Sequence, residues 1–105
     1  MLLTTIDRIP GKEITEVLGL VQGSTIRARH LGRDIMASLR NVVGGEIKDY
    51  TQMLTEAREL ALQRLVKEAE RLGADAVVGV RLATAQTMAG AAEVLAYGTA
   101  VRLSS

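Results

Sequence analysis

The sequence predicts an α+β fold: a two-layer arrangement in which an antiparallel sheet is packed by two helices, in the order ββααββ. Three observations carry this. Both ends of the chain are rich in β-branched residues and punctuated by glycine, as strands and their bends are. Between them, two stretches repeat apolar residues at spacings of three and four, as amphipathic helices do. The lone proline, in "RIPGKE", marks a turn at Pro10 and Gly11 between two apolar stretches.

Each element follows in chain order. Leu2 to Ile6 reads as a short strand and Glu13 to Ala28, "EITEVLGLVQGSTIRA", as a longer one, in which Gly19 and Gly23 mark bulges or close backbone approach. Leu31, Ile35, Leu39, Val42 and Val43 then fall at helical spacing, with Arg33 and Arg40 opposite, and Gly44 and Gly45 supply the stop. Asp49 and Gln52 resemble a capping box opening a second helix, which runs to Leu72 and ends at Gly73. Its stripe is Leu54, Ala57, Ala61, Leu62, Leu65, Ala69 and Leu72, with Arg58 and Glu68 projecting into the same arc.

The last third reads as two strands joined by a turn at Met88 to Ala91. If Val80 faces Thr99, one sheet face carries Ala76, Val78, Val80, Leu82, Tyr97, Thr99, Val101 and Leu103 and takes the helices. The opposite face, with Val77, Gly79, Ala83, Ala85, Val94, Ala96, Gly98 and Ala100, is small and apolar where a solvated face would be polar. That pattern predicts cover by another copy of the chain, the alternative being cover by the first two strands.

At 105 residues the chain is sized for one domain and one core. Its net charge of +1 sets up no strong field for nucleic acid or an anionic membrane. Arg27, Arg29, His30, Arg33 and Arg40 cluster, but no aromatic residues interleave to stack on bases. No run approaches the roughly 20 apolar residues of a membrane span, and the N-terminus lacks the pattern of a signal peptide. Without cysteine there is neither a disulfide nor a thiolate metal site, which fits a reducing compartment and a cytoplasmic protein. Phe and Trp are absent, so the core is built from Leu, Ile, Val and Ala and its elements must approach closely.

Candidate chemistry is sparse. His30 titrates near neutrality and could bind metal or act as a base, with Asp34, Glu46 or Asp49 as partners within the chain or across subunits. A metal site needs about three or four convergent ligands, and there is no second histidine. Asp34 and Asp49 near helix starts are explained as caps. Arg58, predicted in a packed face, calls for a carboxylate, which Asp34, Glu46 or another subunit could supply as a structural ion pair. The glycines of "VVGG", "RLGAD" and "VVGV" lack phosphate-loop spacing, and neither a Ser-His-Asp nor a Cys-His arrangement is indicated.

Several segments together resemble the YbjQ-like family, whose label is heavy-metal-binding: Thr4–Thr5, "LGLVQG" (18–23), "RDIMASLRNVVGG" (33–45), Tyr50, "ARELA" (57–61), "LGADAVVGV" (72–80) and "GTAV" (98–101). They span nearly the whole chain in order. The resemblance implies a dodecin-like subunit, a curved antiparallel sheet carrying helices, assembled as a homopentamer or a stacked decamer, and it brings no established enzymatic activity. Arg81, Leu82 and Ala83 stand where family members often carry an acidic and aromatic run.

The expectation is therefore a cytoplasmic homo-oligomer without a catalytic site or cofactor, any ligand lying at subunit junctions. The rival is a metal-binding protein with His30, Asp34 and Glu46 contributed across subunits. A third class, an enzyme using an interface pocket, would show a cleft holding a perturbed carboxylate or histidine.

Overall fold

The computed structural model describes residues 1–28, 44–88 and 91–104, with side-chain surroundings for 1–26, 51–85 and 91–104. These residues form β1 (Leu2–Leu3), β2 (Ile14–Ala28), α1 (Gly44–Arg71), β3 (Ala76–Met88) and β4 (Ala91–Leu103). The strands make one four-stranded sheet in the order β1-β3-β4-β2. The fold is α+β as predicted, but among the described residues there is one helix, so the two-helix ββααββ order is not supported. The first predicted helix, at residues 31–43, lies outside the described residues.

The sheet is mixed where an antiparallel one was predicted. β4 pairs antiparallel with β3 and, from Ile14↔Leu103 to Ala28↔Ala91, with β2, whereas β1 pairs parallel with β3. The cause is the path between β1 and β2, which lie at opposite edges: the chain crosses the end of the sheet instead of turning back beside β1. Pro10 and Gly11 make that crossing as a type II turn, with Gly11 at φ 82° and the Lys12 N–H donating to the Ile9 carbonyl at 3.2 Å. The crossing lays Ile9 over Ala76, Val78 and Val101, where Ile14 and Leu103 complete a small second core.

The two sheet faces are used the opposite way from the prediction. α1 packs on the small face: Ala57, Ala61, Leu65 and Ala69 lie against Val21, Val77, Val94, Ala96 and Ala100 with no accessible surface left beyond 1% at Val21. Gly79 explains the error about Val80. It sits at φ 63°, where residues with a Cβ are strained, and the pairing slips from Val78↔Thr99 to Arg81↔Tyr97 across it. The extra residue is a bulge, and it turns Val80 to the helix side, away from Val78. The small residues are thus needed by this chain's own helix. A Cβ on Gly23 would meet the Ala61 carbonyl and the Leu65 amide and come within 2.8 Å of the Arg64 carbonyl carbon, so the helix backbone rests directly on β2.

α1 is described from Gly44, five residues before the predicted start, so Gly44 and Gly45 belong to this helix. Its predicted stripe is otherwise the observed one, with Leu62 and Leu72 flanking the buried residues. It ends at Gly73 in a Schellman motif: the Gly73 N–H donates to the Glu70 carbonyl at 3.0 Å and the Ala74 N–H to the Ala69 carbonyl at 3.1 Å. Gly73 at φ 79° makes this geometry accessible.

The molecule is long. A strand of 15 residues spans roughly 50 Å, and the extents are 54 × 22 × 15 Å. The radius of gyration is 17.2 Å, against about 13 Å for a compact chain of this length. The accessible surface is 6771 Å², where scaling from mass gives roughly 5,700 Å². A single copy leaves more surface in water than a compact domain of its size.

Candidate functional site

With α1 on the small face, the other side of the sheet holds the exposed apolar groups. Past the cover of Ile9, the outer face carries Val17, Leu20 and Ile26, exposed at 65%, 71% and 64%. Their partners across to β4 are Val101, Thr99 and Glu93. Leu95 and Tyr97 lie half-buried between them on the same face. β2 thus alternates in the ordinary way, with Val21, Gly23 and Thr25 buried under the helix and Leu20, Gln22, Ser24 and Ile26 facing out. Glycine on the inner face and leucine on the outer one hide this alternation from a hydropathy reading.

A second feature lies at the β1 side. A cleft of about 410 Å³ is walled by Leu3, Leu62, Val80 and Leu82, with Thr4, Thr5 and Arg81 completing it. Arg81 is held by backbone: its Nη1 donates to the Thr5 carbonyl at 2.8 Å and to the Val80 carbonyl at 2.9 Å. Among the described residues, no carboxylate or histidine stands in its walls.

The polar residues singled out from the sequence are not gathered by the described structure. His30 and Asp34 lie outside the described residues, and Glu46 stands in the first described turn of α1 with its side chain outside them. Arg58 is exposed, not set in a packed face as predicted, because α1 turns it away from the stripe through Ala57 and Ala61. Its Nη2 donates to Thr55 Oγ1 at 3.2 Å. The predicted Arg58–Asp34 pair involves a residue outside the described ones. Glu68, the other charge in the arc, is bound from its own helix: Arg71 Nη2 and Nε donate to its two carboxylate oxygens at 2.6 and 3.2 Å. These bonds hold the Glu68 carboxyl below its ordinary value; partial desolvation opposes them, and the Arg71 charge adds to them. The same bonds raise Arg71.

Helix on a bulged mixed sheet, with a bare apolar outer face, defines an α+β fold whose described residues offer exposed apolar surface more than a polar pocket. A family model described as "Putative heavy-metal-binding" matches residues 1–104. The chain belongs to that YbjQ family. Relatives named UPF0145 protein include one from Archaeoglobus fulgidus, 61% identical over 98% of this chain and 95% of its own length. Another, from Thermus thermophilus, is 58% identical over 98% of this chain and 90% of its own. A crystal structure of a protein of unknown function of the DUF74 family, from Pediococcus pentosaceus, superposes with a TM-score of 0.64 at 21% identity, covering 99% of this chain and 98% of that one. That likeness concerns the fold.

The family description names heavy metals, and the donor set can be tested against it. Soft metals are held by thiolates, or by three or four convergent imidazole and carboxylate groups. The chain has no cysteine and one histidine. Among the described residues no three His, Cys, Asp or Glu side chains come together. The described residues of a single copy do not fit such a site.

Proposed function

We propose that the chain is a non-catalytic subunit of a cytoplasmic homo-oligomer, of five copies as its family resemblance implies, whose ligand sites lie at subunit junctions. The observation that carries this is the outer sheet face, where Val17, Leu20 and Ile26 stand in water at 64 to 71% exposure on a molecule whose surface exceeds that of a compact domain. Among the described helix residues nothing is long and apolar enough to cross a membrane, so a bilayer-spanning helix does not account for this face. Full burial of such side chains is worth about 1.5 to 3 kcal/mol each, against an association cost of about 4 to 15 kcal/mol. Three such side chains together contribute about 4.5 to 9 kcal/mol, within the range of that cost, so a stable junction brings more contacts with it.

Sedimentation of Leu20→Lys and Ile26→Lys tests the reading. Both positions are exposed in one copy, so the subunit keeps its helical circular dichroism while the assembly falls toward single chains at micromolar concentration. An unchanged mass in both variants removes the outer face as the junction.

The metal-binding reading is favoured by the family description. It requires His30, Asp34 and Glu46 from neighbouring copies to converge, since the described residues of one copy bring no three such donors together. Metal analysis of purified oligomer, with and without His30→Ala, separates the two: stoichiometric zinc or copper lost in the variant supports the metal reading.

A further inference from the structure

This inference goes beyond the homo-oligomer reading and concerns a site whose described walls all belong to one chain. Two hollows adjoin on the helix side of the sheet. The cleft of about 410 Å³ beside β1 shares Leu3 and Leu62 with a second hollow of about 400 Å³, which runs along α1 past Val66 and Lys67. Together they form a trough between α1 and the β1–β3 edge.

The packing accounts for this trough. α1 rests mainly on β2 and β4 and touches β3 little. β1 is two residues long, so it covers β3 briefly. The Gly79 bulge turns Val80 toward the helix, and Leu82, two residues on, stays 44% exposed. Aliphatic side chains thus face a space that the described part of the chain does not fill.

One rim of the trough is charged. Arg81 Nη1 donates to two carbonyls, those of Thr5 at 2.8 Å and Val80 at 2.9 Å, which fixes the guanidinium in place. The group has five N–H donors, and Nε and Nη2 carry the other three. Those two nitrogens form the fork that a carboxylate accepts bidentately. The ion pairs between described side chains are Glu68–Arg71 and Glu16–Arg102, so Arg81 has no carboxylate partner among the described residues. Thr4 belongs to the same wall. Its Oγ1 accepts from the Ile6 N–H at 3.3 Å, which leaves its own hydrogen to donate.

We infer that the trough binds a medium-chain aliphatic carboxylate, its head on Arg81 and its tail along Leu3, Leu62, Val80 and Leu82. The volume lies in the range of about 300 to 1,000 Å³ usual for small-ligand sites. Charge complementarity selects the head. One guanidinium matches one negative charge, and Lys67 of the second hollow stands with Glu70, so it adds no net charge for a phosphate dianion. The walls select the tail: they are branched aliphatic groups with no aromatic ring for stacking, which suits a flexible hydrocarbon and not a planar ring system.

Titration of the full chain in its native assembly with sodium octanoate, followed by methyl NMR of leucine and valine, tests this. The expected result is a saturable shift centred on Leu3, Leu62, Val80 and Leu82. Acetate lacks the tail and octanol lacks the charge, and each should bind at least about tenfold more weakly. Arg81→Gln should weaken octanoate to the same degree. Because Arg81 also tethers backbone, Leu82→Glu is the second variant: it adds a like charge at an exposed wall position and should weaken octanoate with the Arg81 tethers intact. Octanol binding as tightly as octanoate, octanoate affinity unchanged in either folded variant, shifts confined to other residues, or no saturable shift in the millimolar range each overturn the inference. None of these outcomes bears on the homo-oligomer reading, which native mass decides.

Discussion

Gly23 is the point at which helix and sheet come closest. The Ala61 carbonyl and Leu65 amide stand where a side chain would begin, and backbone atoms cannot yield as a flexible side chain can. Gly23→Ala should therefore lower stability by about 1 to 3 kcal/mol through overpacking, read as a fall in the urea midpoint at fixed protein concentration. Gln22→Ala, one residue away and exposed, should stay within about 0.5 kcal/mol of wild type. The Glu68–Arg71 pair is a different kind of contact, bidentate but largely in water, and exposed pairs of this sort contribute little at neutral pH. Its signature is in titration. Because the folded carboxyl is lowered from its ordinary value of 4.5, its contribution is present above the unfolded value and disappears as pH falls through the folded one. An NMR titration should place the Glu68 midpoint below that of an ordinary glutamate, and Arg71→Ala should bring it back up. The sequence marked Glu68 as a charge needing a partner; the partner is one helical turn away, at a spacing any helix supplies.

At the scale of elements, Gly79 decides which face of β3 meets the helix. Nothing lies within 4 Å of where its Cβ would be, so the obstacle to other residues is backbone conformation and not space. Gly79→Val should be costlier than Gly79→Asn, since asparagine tolerates positive φ and a β-branched residue does not. Thermal midpoints of the two variants check the order, with about 1 to 2 kcal/mol expected for leaving glycine. This bulge also marks the limit of what alternation could reveal. A strict period of two across "VVGVRL" assigns Val78 and Val80 to one face, and the left-handed glycine between them breaks the count. The helix stripe from Ala57 to Leu72, the Pro10–Gly11 turn and the Gly73 stop were legible, because each depends on local rules. The parallel pairing of β1 was not, because it depends on where the chain goes after Pro10. The membership of Gly44 and Gly45 in α1 was hidden for a related reason: paired glycines are poor helix formers and read as a boundary.

On the scale of the whole molecule, the small glycine and alanine face and the need for sister copies turn out to be separate matters. The sequence linked them, reasoning that a dry small face required another chain. The structure gives that face to α1 and leaves a different one bare, through Val17, Leu20 and Ile26. The case for assembly now stands on that outer face and the elongated outline. Among the described residues no three metal-ligating side chains come together, and the chain has one histidine and no cysteine, so the proposed ligand sites are placed where chains meet. The direct measurement is the native mass of the wild-type protein over a dilution series down to low micromolar concentration. The account predicts a discrete species at about five times the 11.2 kDa of one chain; a single 11.2 kDa species throughout would contradict it.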